Sequence, residues 1–244
     1  MNALLLAAGF GTRMGELSKR IAKPLLPISD IPIAEYLVRK LKSTGRFKAI
    51  YVISNGLYYE QFSDWLNKFD HHDISLLNDG AIDNENRLGA IADLKYAVEQ
   101  KGIEGPLLVL AGDNLFDFDL NDLIDFYDEK KATVVAAYHQ TDIEKLRKTG
   151  VASINEESRI TGFQEKPAEP DDEYAVPCLY MFDESAMKLI SEYIEEGNNA
   201  DAPGNFINWL YKRQPVFAFK FDSDLYSIGD VESYARTRKI LEVR

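Results

Sequence analysis

Apolar runs alternate with amphipathic segments along the chain. Continuous apolar runs are typical of strands buried in a parallel sheet, and Ile33, Leu37 and Leu41 recur at helical spacing. The pattern predicts strands at NALLLAA, KAIYVIS, DISLLND, GPLLVLAGD and ATVVAAYH. It predicts helices at IPIAEYLVRKLKSTG, YYEQFSDWLNKF, RLGAIADLKYAVEQ and DLNDLIDFYDEKK. Three βα units are complete before residue 115, which indicates helices packed on a mostly parallel sheet.

The pattern changes after Gly150. Two short strands surround a polar turn in GVASINEESRITGFQEKP, and YAVPCLYMFD, a helix near 184–195, the strand PVFAFKF and a helix from about Asp230 follow. These elements predict a mixed or antiparallel lobe. Because no linker, repeat or low-complexity run separates it, we expect one α/β domain over residues 1–244, with a mixed, mostly parallel central sheet and a small antiparallel lobe.

Composition and charge narrow the classes of function. The chain has 244 residues, of which 45% are hydrophobic and 28% charged, as is ordinary for a globular protein. No apolar stretch reaches the roughly 18 residues of a membrane helix, and no signal peptide is visible, so we expect a cytoplasmic protein without a membrane partner. A net charge of −12 disfavours binding to nucleic acid. The adjacent His71 and His72 are expected to be solvated, without a metal.

The first strand ends in a loop that could hold phosphate. Ligands of open α/β sheets bind at the carboxyl ends of the strands, where GFGTRMG, GAIDNENRLGA and GDNLF occur. In the first of these, Gly9 and Gly11 can adopt positive φ, Thr12 can donate a hydroxyl, and Arg13 can bind phosphate with its fork. A tight strand-to-helix turn explains the glycines equally well without a ligand. Lys23, held before a proline in AKPLLP, favours the phosphate interpretation.

Two motifs together resemble those of a known family. LAAGFGTRM, followed by KPLLPI, is similar to the signature of the sugar-1-phosphate nucleotidyltransferases, which include glucose-1-phosphate thymidylyl- and uridylyltransferases. The resemblance continues through RLGAIADL, LAGDNLF, GFQEKP and YMF in the family's order, so it covers nearly the whole chain. It implies a single GT-A-like (Rossmann-like) domain that joins a nucleoside triphosphate (NTP) to a sugar 1-phosphate, releases pyrophosphate and uses Mg2+.

The resemblance also implies roles for individual residues. The catalytic residues would be Arg13, Lys23 and Asp113. The nucleotide would be bound by Ala8, Gly9, Gly11, Thr12, Arg13, Arg87 and Gly89. The sugar phosphate would be bound by Asn114, Gly150, Glu165, Lys166 and Tyr180. Structural explanations compete for four of these residues: an Asx turn at Asp113, an exposed charged pair at Glu165 and Lys166, and a core position for Tyr180.

The chain departs from the family pattern at two places. Where the family has a second metal-binding aspartate, LYSIGD has Ser227. Asp230 could bind the metal instead, so Asp113 and Asp230 are the candidate ligands, although a helix N-cap explains Asp230 as well. Where many relatives have a Gly or Gln that meets the base, this chain has Ala92. The base preference therefore stays open.

The sequence leaves several alternative functions open. A cytidylyltransferase acting on phosphocholine or another non-sugar phosphate shares the N-terminal motifs. A catalytically silent homologue that binds nucleotide or NDP-sugar is favoured by Ser227, and a Rossmann dehydrogenase is a distant third. The chain ends soon after its last predicted helix, so we expect no C-terminal left-handed β-helix. The sequence also leaves open a homo-oligomer.

Overall fold

The computed structural model describes residues 1–242. These residues form two compact units. Unit 1 comprises Met1–Leu88, Leu110–Asp117 and residues 224–242, and unit 2 comprises Gly89–Val109 and Phe118–Ser223. The chain therefore passes from unit 1 to unit 2 twice and returns to unit 1 each time.

Strands and helices alternate within residues 1–242. The strands are β1 (Asn2–Leu6), β2 (Pro27–Ile28), β3 (Ile31–Pro32), β4 (Ala49–Ser54), β5 (Ile74–Asn78), β6 (Leu107–Ala111), β7 (Asn114–Phe116), β8 (Thr133–His139), β9 (Gly150–Ile154), β10 (Ile160–Glu165), β11 (Tyr174–Val176), β12 (Leu179–Phe182), β13 (Val216–Lys220) and β14 (Leu225–Ser227). The helices are α1 (Ile33–Ser43), α2 (Tyr59–Lys68), α3 (Ala90–Lys101), α4 (Leu120–Lys130), α5 (Ile143–Leu146), α6 (Glu184–Lys188), α7 (Ile190–Glu195), α8 (Pro203–Leu210) and α9 (Val231–Leu241). None of these helices has the length and apolarity needed to cross a bilayer.

Unit 1 is built on the parallel strands β1, β4 and β5. Leu4 of β1 lies opposite Tyr51 of β4, and Val52 of β4 lies opposite Leu76 of β5. Leu4 and Val52 are completely buried, as expected for a parallel sheet that helices cover on both faces. Helix α1 buries every member of the apolar stripe that the sequence predicted. The predicted βα units are thus confirmed in this part of the chain.

The last segment of unit 1 begins with the strand β14. This strand pairs antiparallel with β7, so that Ser227 lies opposite Asn114. Helix α9 follows, and Asp230 caps it by accepting the Ser233 N–H at 2.8 Å. The Ser233 hydroxyl in turn accepts the Asp230 N–H at 3.0 Å, which completes a capping box. The helix predicted from about Asp230 is confirmed.

Unit 2 contains the predicted antiparallel lobe. Its strands lie in the order β10, β9, β11, β8, β12, and neighbours along this order pair antiparallel. β13 pairs with β8 in parallel, with Val216 opposite Thr133. The protein is therefore an α/β protein with a mixed sheet, and the predicted fold class is confirmed.

The helices differ from the sequence prediction in several places. The helix predicted near 184–195 is divided at Leu189 into α6 and α7. Helix α8 was not predicted, because its Pro-Gly start is typical of a turn, although proline is also favoured in the first turn of a helix. Helix α3 begins only after Gly89, whose φ of +96° is not helical. Leu88, predicted as part of the helix's apolar pattern, is exposed instead.

Candidate active site

The loop after β1 is open at Gly9 and more closely packed at Gly11. Gly9 is exposed, and a methyl group on its Cα would meet no heavy atom within 4 Å. Gly11 has a φ of +61°, a left-handed conformation that glycine adopts without strain. Thr12 and Arg13 begin the short 3-10 helix Thr12–Leu17, and both are exposed. The exposure of the loop and the left-handed φ of Gly11 suit the predicted phosphate cradle. Ala8, at the base of the loop, is buried.

The Arg13 guanidinium lies beside the turn that precedes α9. A Cβ built on Gly229 would be 3.7 Å from both terminal nitrogens of Arg13, so a larger side chain there would crowd the guanidinium. Arg13 forms no ion pair with any residue in the part of the chain that the structure describes. An exposed guanidinium without a carboxylate partner can bind phosphate oxygens through two parallel hydrogen bonds.

Lys23 and Asp113 form an ion pair at the end of β6. Lys23 Nζ donates a hydrogen bond to Asp113 Oδ2, and the two side chains are 14% and 22% exposed. Gly112 permits this approach, because a Cβ on that residue would be 2.9 Å from Pro24 Cγ. A Cβ on Gly11 would lie 3.4 Å from Lys23 Cβ, so the glycine loop is adjacent to the pair. The structure thus brings together three of the predicted nucleotide and catalytic positions.

The pairing of β7 with β14 places Ser227 next to Asp113. The Ile228 N–H donates to Asp113 O at 2.9 Å, and Ser227 itself is exposed. Asn114 Oδ1 is buried and accepts no hydrogen bond from the described residues. Ser227 therefore lies beside Asp113, at the position where the family resemblance implies a second metal-binding aspartate. In this chain that position has a hydroxyl group instead of a carboxylate.

The donor set around Asp113 suits one Mg2+ ion that arrives with phosphate. Nowhere in residues 1–242 do three His, Cys, Asp or Glu side chains gather as a metal site, and the Asp230 carboxylate caps α9. Mg2+ usually keeps several waters and takes one or two carboxylates plus substrate phosphate oxygens. The Asp113 carboxylate, followed in the chain by the orphaned amide oxygen of Asn114, fits that requirement.

Two of the residues predicted to bind the nucleotide, Arg87 and Gly89, lie in different units. Arg87 is exposed, and its Nη1 donates to Asn84 O at 2.8 Å. Gly89 is the N-cap residue of α3 in unit 2. A Cβ on Gly89 would be 2.7 Å from Ala200 O, which also accepts the Ile91 N–H at 2.9 Å. Backbone packing alone therefore requires glycine at this position, and contact with a base stays a prediction for both residues.

Four of the five residues predicted to bind the sugar phosphate lie in unit 2, namely Gly150, Glu165, Lys166 and Tyr180, whereas Asn114 lies in unit 1. Gly150 of β9 lies opposite Glu165 of β10. The Glu165 side chain is only 11% exposed, and burial raises the pKa of its carboxyl despite the Lys166 ammonium, whose Nζ is 3.4 Å from Oε1. Lys166 has a φ of +47°, a left-handed conformation that costs energy for lysine. The cluster offers a buried acceptor beside an exposed cation.

Tyr180 of β12 is a buried neighbour of this cluster. Its ring packs edge-to-face against Phe182, with centroids 5.9 Å apart. Burial raises the pKa of the Tyr180 hydroxyl well above its ordinary value, and the nearby Cys178 and Glu165 add to the rise. Tyr180 therefore occupies a core position next to Glu165, and direct contact with a sugar stays a prediction.

The sequence prediction for His71 was wrong. His71 is buried, and its Nε2 lies 2.8 Å from Glu35 Oε2. Glu35 is also buried, and a buried carboxylate is stabilised by polar partners such as His71. His72 is exposed, as predicted. Sequence reasoning also missed Gly112, which packs against Pro24 in unit 1, and Gly204, which packs against Glu165 in unit 2. Nothing in a single sequence distinguishes such glycines from ordinary turn glycines.

A solved structure shares this fold. It is described as UDP-glucose pyrophosphorylase complexed with UDP-glucose, and it matches with a TM-score of 0.83 and 22% sequence identity. The match covers 99% of this chain and 98% of that chain. By its fold the chain is thus an α/β protein of the type seen in that pyrophosphorylase.

The family follows from the sequence comparison. The model of the nucleotidyl transferase family matches residues 2–242, and the chain belongs to that family, as its motifs predicted. A glucose-1-phosphate adenylyltransferase of Thermosipho africanus is 25% identical over 95% of this chain, and one of Clostridium acetobutylicum is 24% identical over 95%. The chain spans 59% and 64% of the length of these two relatives.

Proposed function

We propose that the chain transfers a nucleotidyl group from an NTP to a sugar 1-phosphate, with Mg2+, and releases pyrophosphate and an NDP-sugar. The observation that carries this proposal is the Lys23–Asp113 ion pair beside the open glycine loop. A cation and a carboxylate fixed next to exposed backbone can bind phosphate and its metal ion together. The names of the relatives support a sugar 1-phosphate as the acceptor.

The proposed reaction requires no nucleophile from the protein. An oxygen of the acceptor's phosphate attacks the α-phosphorus of the NTP, and the bond from that phosphorus to the oxygen bridging the β-phosphate breaks. Pyrophosphate leaves with the bonding electron pair. Arg13 and Lys23 bind the phosphate oxygens on which negative charge accumulates, since this chemistry is catalysed mainly by positioning and electrostatic stabilisation.

Asp113 would hold Mg2+ in this proposal. When bound, the ion would supply positive charge that stabilises the negative charge of the reacting phosphates. Asp113 also orients Lys23, because their ion pair fixes the ammonium at the end of β6. In unit 2, Glu165 accepts hydrogen bonds from sugar hydroxyls and Lys166 pairs with the acceptor's phosphate.

A second candidate function is binding of nucleotide without turnover. The observation that favours it is the exposed Ser227 beside Asp113, because a hydroxyl does not supply the charge of a carboxylate. Such a protein would bind an NTP or NDP-sugar as a sensor or partner subunit. Pyrophosphate release by the purified chain would eliminate this candidate.

The experiment is an assay of pyrophosphate release with Mg2+ across dTTP, UTP, CTP, ATP and GTP. Each is paired with glucose 1-phosphate, mannose 1-phosphate and phosphocholine. We expect release that needs both an NTP and a sugar 1-phosphate, and that falls about 100-fold or more in Arg13→Ala, as for the loss of one preorganised charge-stabilising donor. Arg20→Ala, another exposed arginine of unit 1, is the matched control and should keep the wild-type rate.

The outcomes of this panel separate the candidates. Release only with phosphocholine would replace the sugar acceptor by a non-sugar one. Binding of NTP without release in any pair would favour the silent homologue. An Arg13→Ala variant as active as Arg20→Ala would contradict the role given to Arg13.

A further inference from the structure

Gly204, the second residue of α8, lies against the Glu165 carboxylate. A Cβ built on Gly204 would overlap Glu165 Oε2 and would be 2.8 Å from Glu165 Cδ, closer than real Cβ atoms approach. The space occupied by the carboxylate is therefore the space that a side chain at position 204 would fill. Glu165 is buried there because residue 204 has no side chain.

A second contact fixes the same strand against α8. Phe163 lies on the same face of β10 as Glu165, since side chains alternate along a strand. Its ring would be 2.6 Å from a Cβ on Gly150 and 3.2 Å from a Cβ on Gly204. The ring edge is thus held between two glycines, and this face of β10 has one close-packed position against the first turn of α8.

We propose that Gly204 is a positioning residue of the sugar-phosphate site. Because Gly204 has no side chain, the Glu165 carboxylate can lie buried against it, and from that position the carboxylate accepts a hydrogen bond from a sugar hydroxyl. The inference rests on the proposed function, because that function gives Glu165 its role. It adds a residue that neither the motifs nor the family resemblance pointed to. A buried acceptor held in one place discriminates strongly between a ligand hydroxyl and its absence.

Gly204→Ala is an informative change because the obstacle is the free end of a flexible side chain. The atoms that the new methyl group would meet belong to the Glu165 carboxyl group and to the edge of the Phe163 ring. Gly204 lies within a helix and does not have the left-handed φ that would exclude alanine, which is the better helix former. The variant should therefore fold normally and displace the Glu165 carboxylate.

Steady-state kinetics test the positioning role. We expect Gly204→Ala to raise the KM for sugar 1-phosphate about tenfold or more, with the KM for NTP and the melting temperature close to wild type. Gly162→Ala is the matched control on the opposite face of β10, where the new Cβ would meet Ser153 instead. In a Glu165→Ala background, Gly204→Ala should have no further effect, because the group on which it acts is gone. Additive effects, or an unchanged KM in the single variant, would overturn the proposal.

A titration supplies a readout that is independent of turnover. Carbon-13 NMR of the labelled carboxyl group should show the pKa of Glu165 raised in the wild type by burial and lower in Gly204→Ala, where the carboxylate reaches solvent. The same titration curve in both proteins would refute the displacement. If the wild-type chain bound no sugar 1-phosphate by calorimetry, the proposed function and this role would both fall. Wild-type turnover beside an unchanged Gly204→Ala variant would refute the positioning role alone.

Discussion

At the scale of single residues, glycines bring the charged side chains of unit 1 close to their partners. Gly112 admits Pro24 to the end of β6, and the ion pair of Lys23 with Asp113 follows from that approach. Gly229 leaves room for the Arg13 guanidinium. Each of these contacts joins segments that are distant in sequence. The chemistry of the site thus depends on residues that have no side-chain chemistry of their own.

Asp230 is the residue whose two predicted roles can be separated by substitution. Asparagine also caps helices well, so Asp230→Asn should keep α9 and remove only the charge. Because the Asp230 carboxylate already accepts the Ser233 N–H, we expect Asp230→Asn to need the same Mg2+ concentration for half-maximal activity as wild type. Asp230→Ala, which loses the cap, should lower the free energy of unfolding by about 1 kcal/mol. A tenfold higher Mg2+ requirement in Asp230→Asn would make Asp230 a metal ligand.

At the scale of elements, a buried carboxylate links α1 with α2 and the turn that follows. Glu35 of α1 is 2% exposed, and it accepts hydrogen bonds from Arg39 Nε at 2.7 Å and Trp65 Nε1 at 3.1 Å. Its Oε2 also lies 2.8 Å from His71 Nε2. Burial alone would raise the pKa of Glu35, but the hydrogen bonds from Arg39, His71 and Trp65 outweigh it and lower the pKa.

This network predicts an acid-sensitive contribution to stability. The pKa of Glu35 is lower in the folded chain than the ordinary value of 4.5, so its contribution is complete above that value and is lost as the pH falls through the folded pKa. We expect Glu35→Gln to lower the free energy of unfolding at pH 7 by about 1.5–3 kcal/mol. Denaturant titrations should also show that its stability falls less steeply than that of wild type below about pH 4.5.

The control for this prediction is Glu60→Gln, an exposed glutamate on α2. It should follow the wild-type pH dependence, because its exposed side chain is not part of the buried network around Glu35. An equally steep acid limb in Glu35→Gln and wild type would show that the buried carboxylate does not contribute to the pH dependence.

The sequence predicted the helices and strands better than it predicted the contacts between side chains distant in the chain. The apolar stripe of α1 and the buried strand β1 follow directly from the sequence pattern. Residues that face the core recur at regular intervals along a helix or strand, so their spacing identifies the element. The ion pair of Lys23 with Asp113 spans 90 positions, and periodicity carries no information on such a pairing. Only the family resemblance had placed both residues in one site. The burial of His71 and the packing of Gly204 depend on three-dimensional neighbours and left no signal in the sequence.

At the scale of the whole molecule, charge limits how substrates bind. The net charge of −12 repels anions, and both proposed substrates are anionic phosphates. Arg13, Lys23 and a bound Mg2+ are the local positive charges that would offset this repulsion for the nucleotide. The proposed function therefore predicts that the chain binds a metal-complexed nucleotide rather than a nucleic acid.

The most direct test of nucleotidyl transfer follows the atoms of the acceptor. The acceptor is a sugar 1-phosphate whose non-bridging phosphate oxygens are oxygen-18, and mass spectrometry locates the label after reaction with the preferred NTP. We predict that all of the label appears in the NDP-sugar and none in pyrophosphate, because the acceptor's oxygen attacks the α-phosphorus. Unlabelled nucleoside monophosphate with the acceptor unchanged would show hydrolysis by water and would contradict nucleotidyl transfer to a sugar phosphate.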